Sequence, residues 1–192
     1  MKNVHRLAVY CGSASGSSDV FTEATKATAA AMVSRGVDLV YGGGRLGLMG
    51  LIADSVLELG GQVYGVIPSA LVDLEVAHTG LTELHHVANM HERKAKMTDL
   101  ADAFIALPGG IGTLDELFEA WSWNALGYHA KPFCLLNIAG FWDGLITFMD
   151  HATTSGFLSA SRRQQLLVAT TPEEALELLD EAAGRATQGM VW

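Results

Sequence analysis

The chain has 192 residues, of which 49% are apolar and 17% charged, as expected for one globular domain over residues 1–192. Its formal net charge of −9 opposes a large nucleic-acid or anionic-membrane surface, because such surfaces need clustered Lys and Arg side chains. The two cysteines show no metal or redox spacing, and no uncharged apolar stretch reaches membrane-spanning length. We therefore expect a cytoplasmic protein that binds neither nucleic acid nor membrane.

Short apolar segments alternate with amphipathic segments along the chain, which is typical of parallel strands joined by helices. The first half predicts strands at 7–10, 37–41 and 62–67, helices at 19–34 and from the glycine turn 42–50 to near residue 60, and a short strand at 83–88. The second half predicts a helix at 90–101, a strand at 103–107, a helix at 113–126 and a final buried strand at 133–137. Helices at 142–154, 161–168 and 172–183 close the chain.

This order predicts an α/β fold: a Rossmann-like, doubly wound, mostly parallel sheet with helices on both faces. In such sheets ligands bind beyond the carboxyl ends of the strands. Three glycine-rich turns meet at that edge, at residues 11–16, 42–50 and 108–112. We therefore expect a single Rossmann-like nucleotide-binding domain with its site at these turns.

Residues 108–116 read Pro-Gly-Gly-Ile-Gly-Thr-Leu-Asp-Glu between a predicted strand and a predicted helix. The glycines leave backbone N–H groups free to surround a phosphate at the positive end of the helix dipole. Glu116 stands one turn inside this anion site, which suggests chemistry on the rest of a phosphorylated substrate. Thr113-x-x-Glu116 is also a capping box, in which Glu116 only returns a hydrogen bond to Thr113. The nonapeptide alone leaves both alternatives open.

Residues 42–47 match the dinucleotide fingerprint Gly-x-Gly-x-x-Gly. A nicotinamide cofactor also needs an acidic residue at the end of the next strand, and the strand at 62–67 has none. A P-loop kinase is disfavoured as well, since neither glycine turn continues into Lys-Ser or Lys-Thr. His85, His86 and His91 do not combine with Cys or acidic residues at ligand spacing. We therefore expect no cofactor and no metal.

Three segments together carry a resemblance: Gly42-Gly-Gly with Gly47, Met90-His-Glu-Arg-Lys94, and residues 108–116. Over nearly the whole chain, the sequence resembles the LOG (Lonely Guy) family of cytokinin riboside 5′-monophosphate phosphoribohydrolases, which have often been labelled lysine decarboxylases. The resemblance implies a Rossmann-like homodimer that hydrolyses the N-glycosidic bond of adenine-type nucleoside 5′-monophosphates. The substrate is then cytokinin riboside monophosphate, AMP or both, and the products are the free base and ribose 5-phosphate.

The resemblance also implies the site residues. Arg93 and Glu116 match the catalytic arginine and glutamate of the family. The substrate contacts fall on Ser13, Gly43, Glu75, Met90, Lys94, Gly109, Gly110, Ile111, Gly112, Thr113, Leu114, Asp115 and Ser122. The chain departs from the family's wording at residues 72–80, where Glu75 lies, and at 121–123.

The chemistry of these side chains agrees with that reaction. Breaking a ribosyl–purine bond passes through an oxocarbenium-like centre, which the Glu116 carboxylate can stabilise while it orients or deprotonates water. Arg93 is permanently charged, and it can therefore position phosphate, ribose or the carboxylate but cannot act as a base. Lysine decarboxylation is not supported, because a pyridoxal enzyme needs a Schiff-base lysine and a pyridinium partner that are not recognisable in this sequence.

Two further interpretations concern function class and assembly. Molybdenum-cofactor carrier proteins have the same glycine motif and sheet and need no hydrolysis, but the helix with Arg93 together with Glu116 favours the enzyme. Trp123 lies seven residues after Glu116, on the same side of the predicted helix and off its core stripe. A large aromatic residue in that place predicts a homodimer interface bordering the site.

Overall fold

The structure is a computed structural model that describes residues 3–72 and 76–188. Seven strands form one sheet: β1 Arg6–Tyr10, β2 Asp38–Tyr41, β3 Val63–Pro68, β4 Glu83–Val87, β5 Ala103–Ala106, β6 Phe133–Leu136 and β7 Leu166–Ala169. Their order is β4-β3-β2-β1-β5-β6-β7, and every adjacent pair is parallel. The predicted α/β Rossmann-like fold is confirmed.

Seven helices connect the strands: α1 Asp19–Ser34, α2 Gly47–Glu58, α3 Met90–Leu100, α4 Ile111–Ala125, α5 Asp143–Thr154, α6 Ala160–Gln165 and α7 Pro172–Gln188. Short 3-10 turns follow β3 at Ser69–Leu71 and β6 at Ile138–Gly140. Among the helices so described, none is both long and apolar enough to cross a membrane.

The core has two layers, because successive strand residues point to opposite faces of the sheet. On β1, Leu7 and Val9 pack against α1, α2 and α7, whereas Ala8 and Tyr10 pack against α3, α4 and α5. Both faces are therefore covered, and the inner strands are apolar apart from the charged residues Arg6 and Asp38 that begin β1 and β2. Because both faces are covered, a ligand can reach the sheet only at the edge where the strands end.

The strand order reverses between β1 and β5, which are neighbours in the sheet. A doubly wound sheet opens a crevice at such a reversal, because the helices after the two strands lie on opposite faces. The turns that follow β1 and β5 flank this crevice. They are two of the three glycine-rich turns of the sequence.

Three predicted helix boundaries were wrong. The helix expected at 172–183 extends to Gln188. Residues 161–168 were expected to be helical, but the helix ends at Gln165 and Leu166–Ala169 forms β7. A four-residue apolar run is ambiguous by itself, and its pairing with β6 settles it as a strand. The strand at 133–137 is therefore not the last. The helix expected at 113–126 begins two residues earlier, at Ile111.

Candidate active site

The three glycine-rich turns meet at the carboxyl edge of the sheet, as predicted. Gly12 N donates to the Pro108 carbonyl at 3.1 Å, and Leu48 N donates to the Gly12 carbonyl at 3.0 Å. Gly47 has φ +57°, and a Cβ there would lie 2.4 Å from the Ser13 carbonyl carbon. Only glycine fits this contact, which holds the turn before α2 against the turn after β1.

The N-terminus of α4 is open. Gly110 is its N-cap and makes no side-chain capping bond, and Ile111, the first helical residue, is 85% exposed. Backbone N–H groups in the first turn of a helix have no partner within the helix. Together with the helix dipole they form a site for an anion such as phosphate.

The capping-box interpretation of residues 113–116 is wrong. A capping box needs its Ser or Thr at the N-cap, whereas Thr113 is the third residue of α4 and only 3% exposed. Its hydroxyl packs under the turn, since a Cβ on Gly109 would lie 2.1 Å from Thr113 Oγ1. Glu116, in the second turn of α4, is therefore not explained by capping.

Arg93 is buried at the start of α3, with 3% of its surface exposed. Its Nη2 donates to the Gly42 carbonyl at 2.8 Å, and a Cβ on Gly42 would fall 2.0 Å from the same nitrogen. Met90 Sδ lies 3.8 Å from Nη1. The guanidinium is thus fixed directly against the glycine turn that follows β2. Gly42 is a site residue that the sequence reasoning did not single out, although it belongs to the glycine motif.

The start of α3 has a variant of the capping box, in which Asn89 is the N-cap and the glutamate bonds the backbone of the residue before it. Asn89 Oδ1 accepts from Glu92 N at 2.9 Å, and the Glu92 carboxylate accepts from Ala88 N at 2.9 Å. These bonds fix where α3 begins, and so the point on the helix from which the Arg93 side chain projects. The pattern Asn-x-x-Glu before the helix was a readable sign of this start.

Glu116 lies beyond the end of β1, and two buried groups there respond to its charge. Burial raises the pKa of the Tyr10 hydroxyl and of the Cys11 thiol, and the negative charge of Glu116 raises both further. Cys11 is therefore protonated at neutral pH and is not a nucleophile. Glu116 is only partly buried, as a carboxylate that meets a substrate must be.

Lys94 connects the two helices that carry the predicted catalytic residues. Its Nζ lies 3.1 Å from Asp115 Oδ2 and 2.9 Å from Glu119 Oε2. Partial burial opposes the lysine charge, but hydrogen bonds and attraction from Glu119 and Asp115 outweigh it and raise the pKa of Lys94. Lys94 and Asp115 were predicted as substrate contacts, and here they bind each other. Glu119 was missed, because its partner becomes visible only when α3 and α4 pack together.

The remaining predicted contacts lie in several environments. Ser13 is exposed in the turn after β1, Gly43 is buried in the turn after β2, and Met90 is 39% exposed on α3. Gly109, Gly110, Ile111, Gly112, Thr113 and Leu114 line the start of α4. Ser122 is exposed near the other end of α4, about 16 Å along the axis from Ile111. Glu75 lies outside the described residues.

The fold is Rossmann-like, and its carboxyl edge carries a buried arginine and the open N-terminus of a helix with a carboxylate in its second turn. Residues 49–179 match the family model described as possible lysine decarboxylase. The chain is 46% identical over 187 residues to cytokinin riboside 5′-monophosphate phosphoribohydrolase LOG of Oryza sativa subsp. japonica, covering 97% of this chain and 77% of that protein. It is also 46% identical over 176 residues to LOG2 of Arabidopsis thaliana, a phosphoribohydrolase of the same name, covering 92% and 83%. The chain belongs to this LOG-type family.

A solved structure extends the likeness to the fold. The molybdenum cofactor carrier protein of Chlamydomonas reinhardtii superposes with a TM-score of 0.71 over 93% of this chain and 98% of that chain, at 17% identity. At that identity the likeness concerns the fold alone.

Proposed function

We propose that the protein hydrolyses the N-glycosidic bond of adenine-type nucleoside 5′-monophosphates to the free base and ribose 5-phosphate. The observation that carries the proposal is the buried Arg93 guanidinium, 2.8 Å from the Gly42 carbonyl at the edge where α4 opens. Relatives at 46% identity, named for hydrolysis of cytokinin riboside 5′-monophosphate, support it. The whole chain acts as one nucleotide-binding domain.

The phosphate of the substrate binds at the start of α4. N–H groups of residues 110–113 donate to its oxygens, each charge-assisted bond contributing about 1.5–3 kcal/mol. Because this contribution needs the phosphate, monophosphates are preferred over nucleosides. Binding there brings the ribose toward the Glu116 side of the crevice.

Glu116 and Arg93 have different roles in the bond cleavage. As the bond to the base lengthens, positive charge develops on the ribose, and the Glu116 carboxylate stabilises it and directs the attacking water. Arg93 keeps its charge throughout and positions the substrate from its place against Gly42. The water oxygen bonds to the ribose carbon and gives one proton to the Glu116 carboxylate, while the base leaves with the electrons of the broken bond and gains a proton, so that one water is consumed overall.

A carrier function has weaker support. It rests on a fold likeness at 17% identity, whereas the named hydrolases share 46% with this chain. Bound nucleotide that is released unchanged would favour the carrier over the enzyme.

Assembly and location complete the proposal. The active form is a homodimer whose interface includes α4, where Leu126 is 70% exposed just beyond the helix end. The enzyme works in the cytoplasm, where the buried thiols of Cys11 and Cys134 stay reduced.

The test is incubation of the purified protein with a panel of nucleoside 5′-monophosphates and their nucleosides, followed by chromatography for free base. We expect AMP and prenylated adenine monophosphates to release base, while adenosine releases little. Inorganic phosphate and ribose 5-phosphate should inhibit. Equal cleavage of adenosine and AMP would contradict the phosphate site, and no cleavage at all would contradict the reaction.

A further inference from the structure

Residues 76–80, here called the strap, lie against the glycine turn 42–45. His78 N donates to the Gly43 carbonyl at 2.9 Å, and Arg45 N donates to the Val76 carbonyl at 3.0 Å. Gly44 and Ala77 form an antiparallel bridge between the two segments. The strap is therefore hydrogen-bonded to the glycine turn at the residues on both sides of Gly44.

The side chain of His78 anchors the strap. It is 4% exposed, its Nε2 lies 2.8 Å from Asp54 Oδ1 on α2, and its Nδ1 accepts from Gly80 N at 3.0 Å. Because Nδ1 accepts, the neutral ring carries its proton on Nε2 and donates it to Asp54. Both ring nitrogens are thus used, one toward α2 and one within the strap.

The contacts of His78 help to hold an unfavourable backbone conformation at Val76. Val76 has φ +50°, in the left-handed region that a β-branched residue avoids. Such a residue persists only where surrounding contacts fix it. Those contacts include the Arg45 bond, the bridge at Ala77, the buried His78 ring and a bond from Ala77 N to the Val72 carbonyl at 2.9 Å.

The glycine turn joins the strap to Arg93. The Gly43 carbonyl accepts from the strap, and the carbonyl of the preceding Gly42 accepts from Arg93 Nη2 at 2.8 Å. Both ends of this connection lie beside the end of β2. There burial raises the pKa of the Tyr41 hydroxyl, Asp54 raises it further, and Arg45 and Arg93 oppose the shift.

We propose that His78, held by Asp54, is a positioning residue of the active site, which fixes the Gly42 carbonyl and through it the Arg93 guanidinium. It touches no reacting atom. The proposal rests on the proposed function for its kinetic readout only. A displacement of Arg93 by about 1 Å is expected to slow the chemical step by up to roughly 10²-fold.

Four substitutions separate the contacts of the anchor. Asp54→Ala removes the acceptor on α2, and His78→Ala removes the ring. His78→Gln places an amide nitrogen where Nε2 lies and keeps the bond to Asp54, while Asp54→Asn keeps an oxygen acceptor for the ring. Glu177→Ala is the matched control. It removes the ion pair between Glu177 on α7 and Arg35 at the end of α1, whose 2.8 Å distance equals that of the His78–Asp54 pair.

We expect Asp54→Ala and His78→Ala to lower kcat for AMP about 10-fold or more, with KM within about 3-fold because the phosphate site on α4 is untouched. His78→Gln and Asp54→Asn should recover most of the wild-type kcat, and Glu177→Ala should equal the wild type. Amide hydrogen exchange at His78 and Arg45 should accelerate in Asp54→Ala and remain slow in Glu177→Ala.

Normal kcat in folded Asp54→Ala overturns the proposal, because the anchor is then structural only. A lowered kcat without faster exchange also overturns it, because the effect does not pass through the strap. If the wild type cleaves no nucleotide, the proposed function fails, and the exchange rates by themselves decide whether the pair holds the strap. Since His78→Ala opens a buried space, the half-exposed Asp54 provides the variant expected to fold.

Discussion

In the proposed reaction, Glu116 is the residue that acts most directly on the bond that breaks. Its place in the second turn of α4, with Gly110 as the N-cap, rules out helix capping as the reason for a carboxylate at this position. Its negative charge adds to burial in raising the pKa of the neighbouring Tyr10 hydroxyl and Cys11 thiol, so both groups stay protonated beside it. A side chain of the same shape without the charge is therefore the sharpest test of its chemistry.

Glu116→Gln should fold normally and lose about 10²-fold or more in kcat, because the amide cannot act as a base or stabilise a cation. The measurement is steady-state release of base from AMP, with circular dichroism as the check on folding. Glu23→Gln, a 68% exposed acid on α1, is the control and should retain full activity. A folded Glu116→Gln enzyme with near-normal kcat would remove Glu116 from the mechanism.

Two glycines of the same turn should respond in opposite ways. A Cβ on Gly109 would lie 2.1 Å from Thr113 Oγ1 and 2.9 Å from Gly12 N, whereas one on Gly112 meets nothing within 4 Å. We expect Gly109→Ala to destabilise the fold by about 1–3 kcal/mol and to weaken AMP binding. Gly112→Ala, inside a helix, should leave Tm unchanged or raise it. Differential scanning calorimetry and titration calorimetry decide, and equal Tm values for both variants would contradict the close packing of this turn.

At the scale of elements, the predicted site depends on how α3 and α4 are placed relative to each other, because its two predicted catalytic residues lie on different helices. One carries Arg93 and the other Glu116, and Lys94 joins them through Asp115 and Glu119. The Lys94 side chain is 12% exposed and that of Glu119 is 19% exposed, which places this network between a surface pair and a buried one. Its contribution should therefore exceed that of an exposed ion pair, yet leave folding possible without it.

Lys94→Met should reduce the free energy of unfolding by about 1–3 kcal/mol at pH 7, because the Glu119 carboxylate, whose side chain is only 19% exposed, then loses its charged partner. The raised pKa of Lys94 adds a pH dependence. The contribution is complete below the unfolded lysine pKa of about 10.4 and is lost as pH rises above it, since only the charged form is stabilised. Urea titrations at pH 7 and pH 11 should therefore show the difference between wild type and variant shrinking.

The control for this prediction is Lys26→Met. Lys26 lies 3.1 Å from Glu23, as Lys94 lies from Asp115, but both partners are more than half exposed. The change should cost less than about 1 kcal/mol. Equal losses from Lys26→Met and Lys94→Met would show that the link between α3 and α4 has no special role.

The elements also show what the sequence could predict. The glycine motifs marked the three turns, since a strand, a glycine turn and a helix follow one another locally along the chain. The strand β7 was not predicted, because Leu166–Ala169 has too few residues to show a periodicity. Only its pairing with the edge of β6 makes this segment a strand. The start of α4 was predicted two residues too late. A glycine N-cap has no side-chain signature in the sequence, whereas Thr113 has the spacing to Glu116 of a capping residue. Contacts such as that of Lys94 with Glu119 arise from helix packing, which spacing along the chain does not encode.

At the scale of the whole molecule, the unexplained feature is apolar surface. Among the described residues, Leu126, Tyr128, Phe148 and Phe157 are 70%, 76%, 59% and 91% exposed. A groove between α4 and α5 lies nearby, with Phe118, Trp121 and Met149 in its walls. Trp123 is only partly buried and belongs to neither core layer as described. Monomers rarely expose several large apolar side chains beside an apolar groove, which is the reason for proposing that α4 is paired with a second copy.

Trp123→Ala should weaken dimerisation about 10-fold or more and lower activity with it, because a partly buried aromatic at a centre of contact contributes most to an interface. Sedimentation across a concentration series gives the association constant, and base release at the same concentrations gives activity. Leu59→Ala is the control: Leu59 is 52% exposed just beyond α2, which packs on the opposite face of the sheet from α4, and its loss should change neither quantity. A wild-type protein that sediments as a monomer at every concentration and is fully active would refute the dimer. A dimer that Trp123→Ala leaves intact would place the interface elsewhere than on this helix.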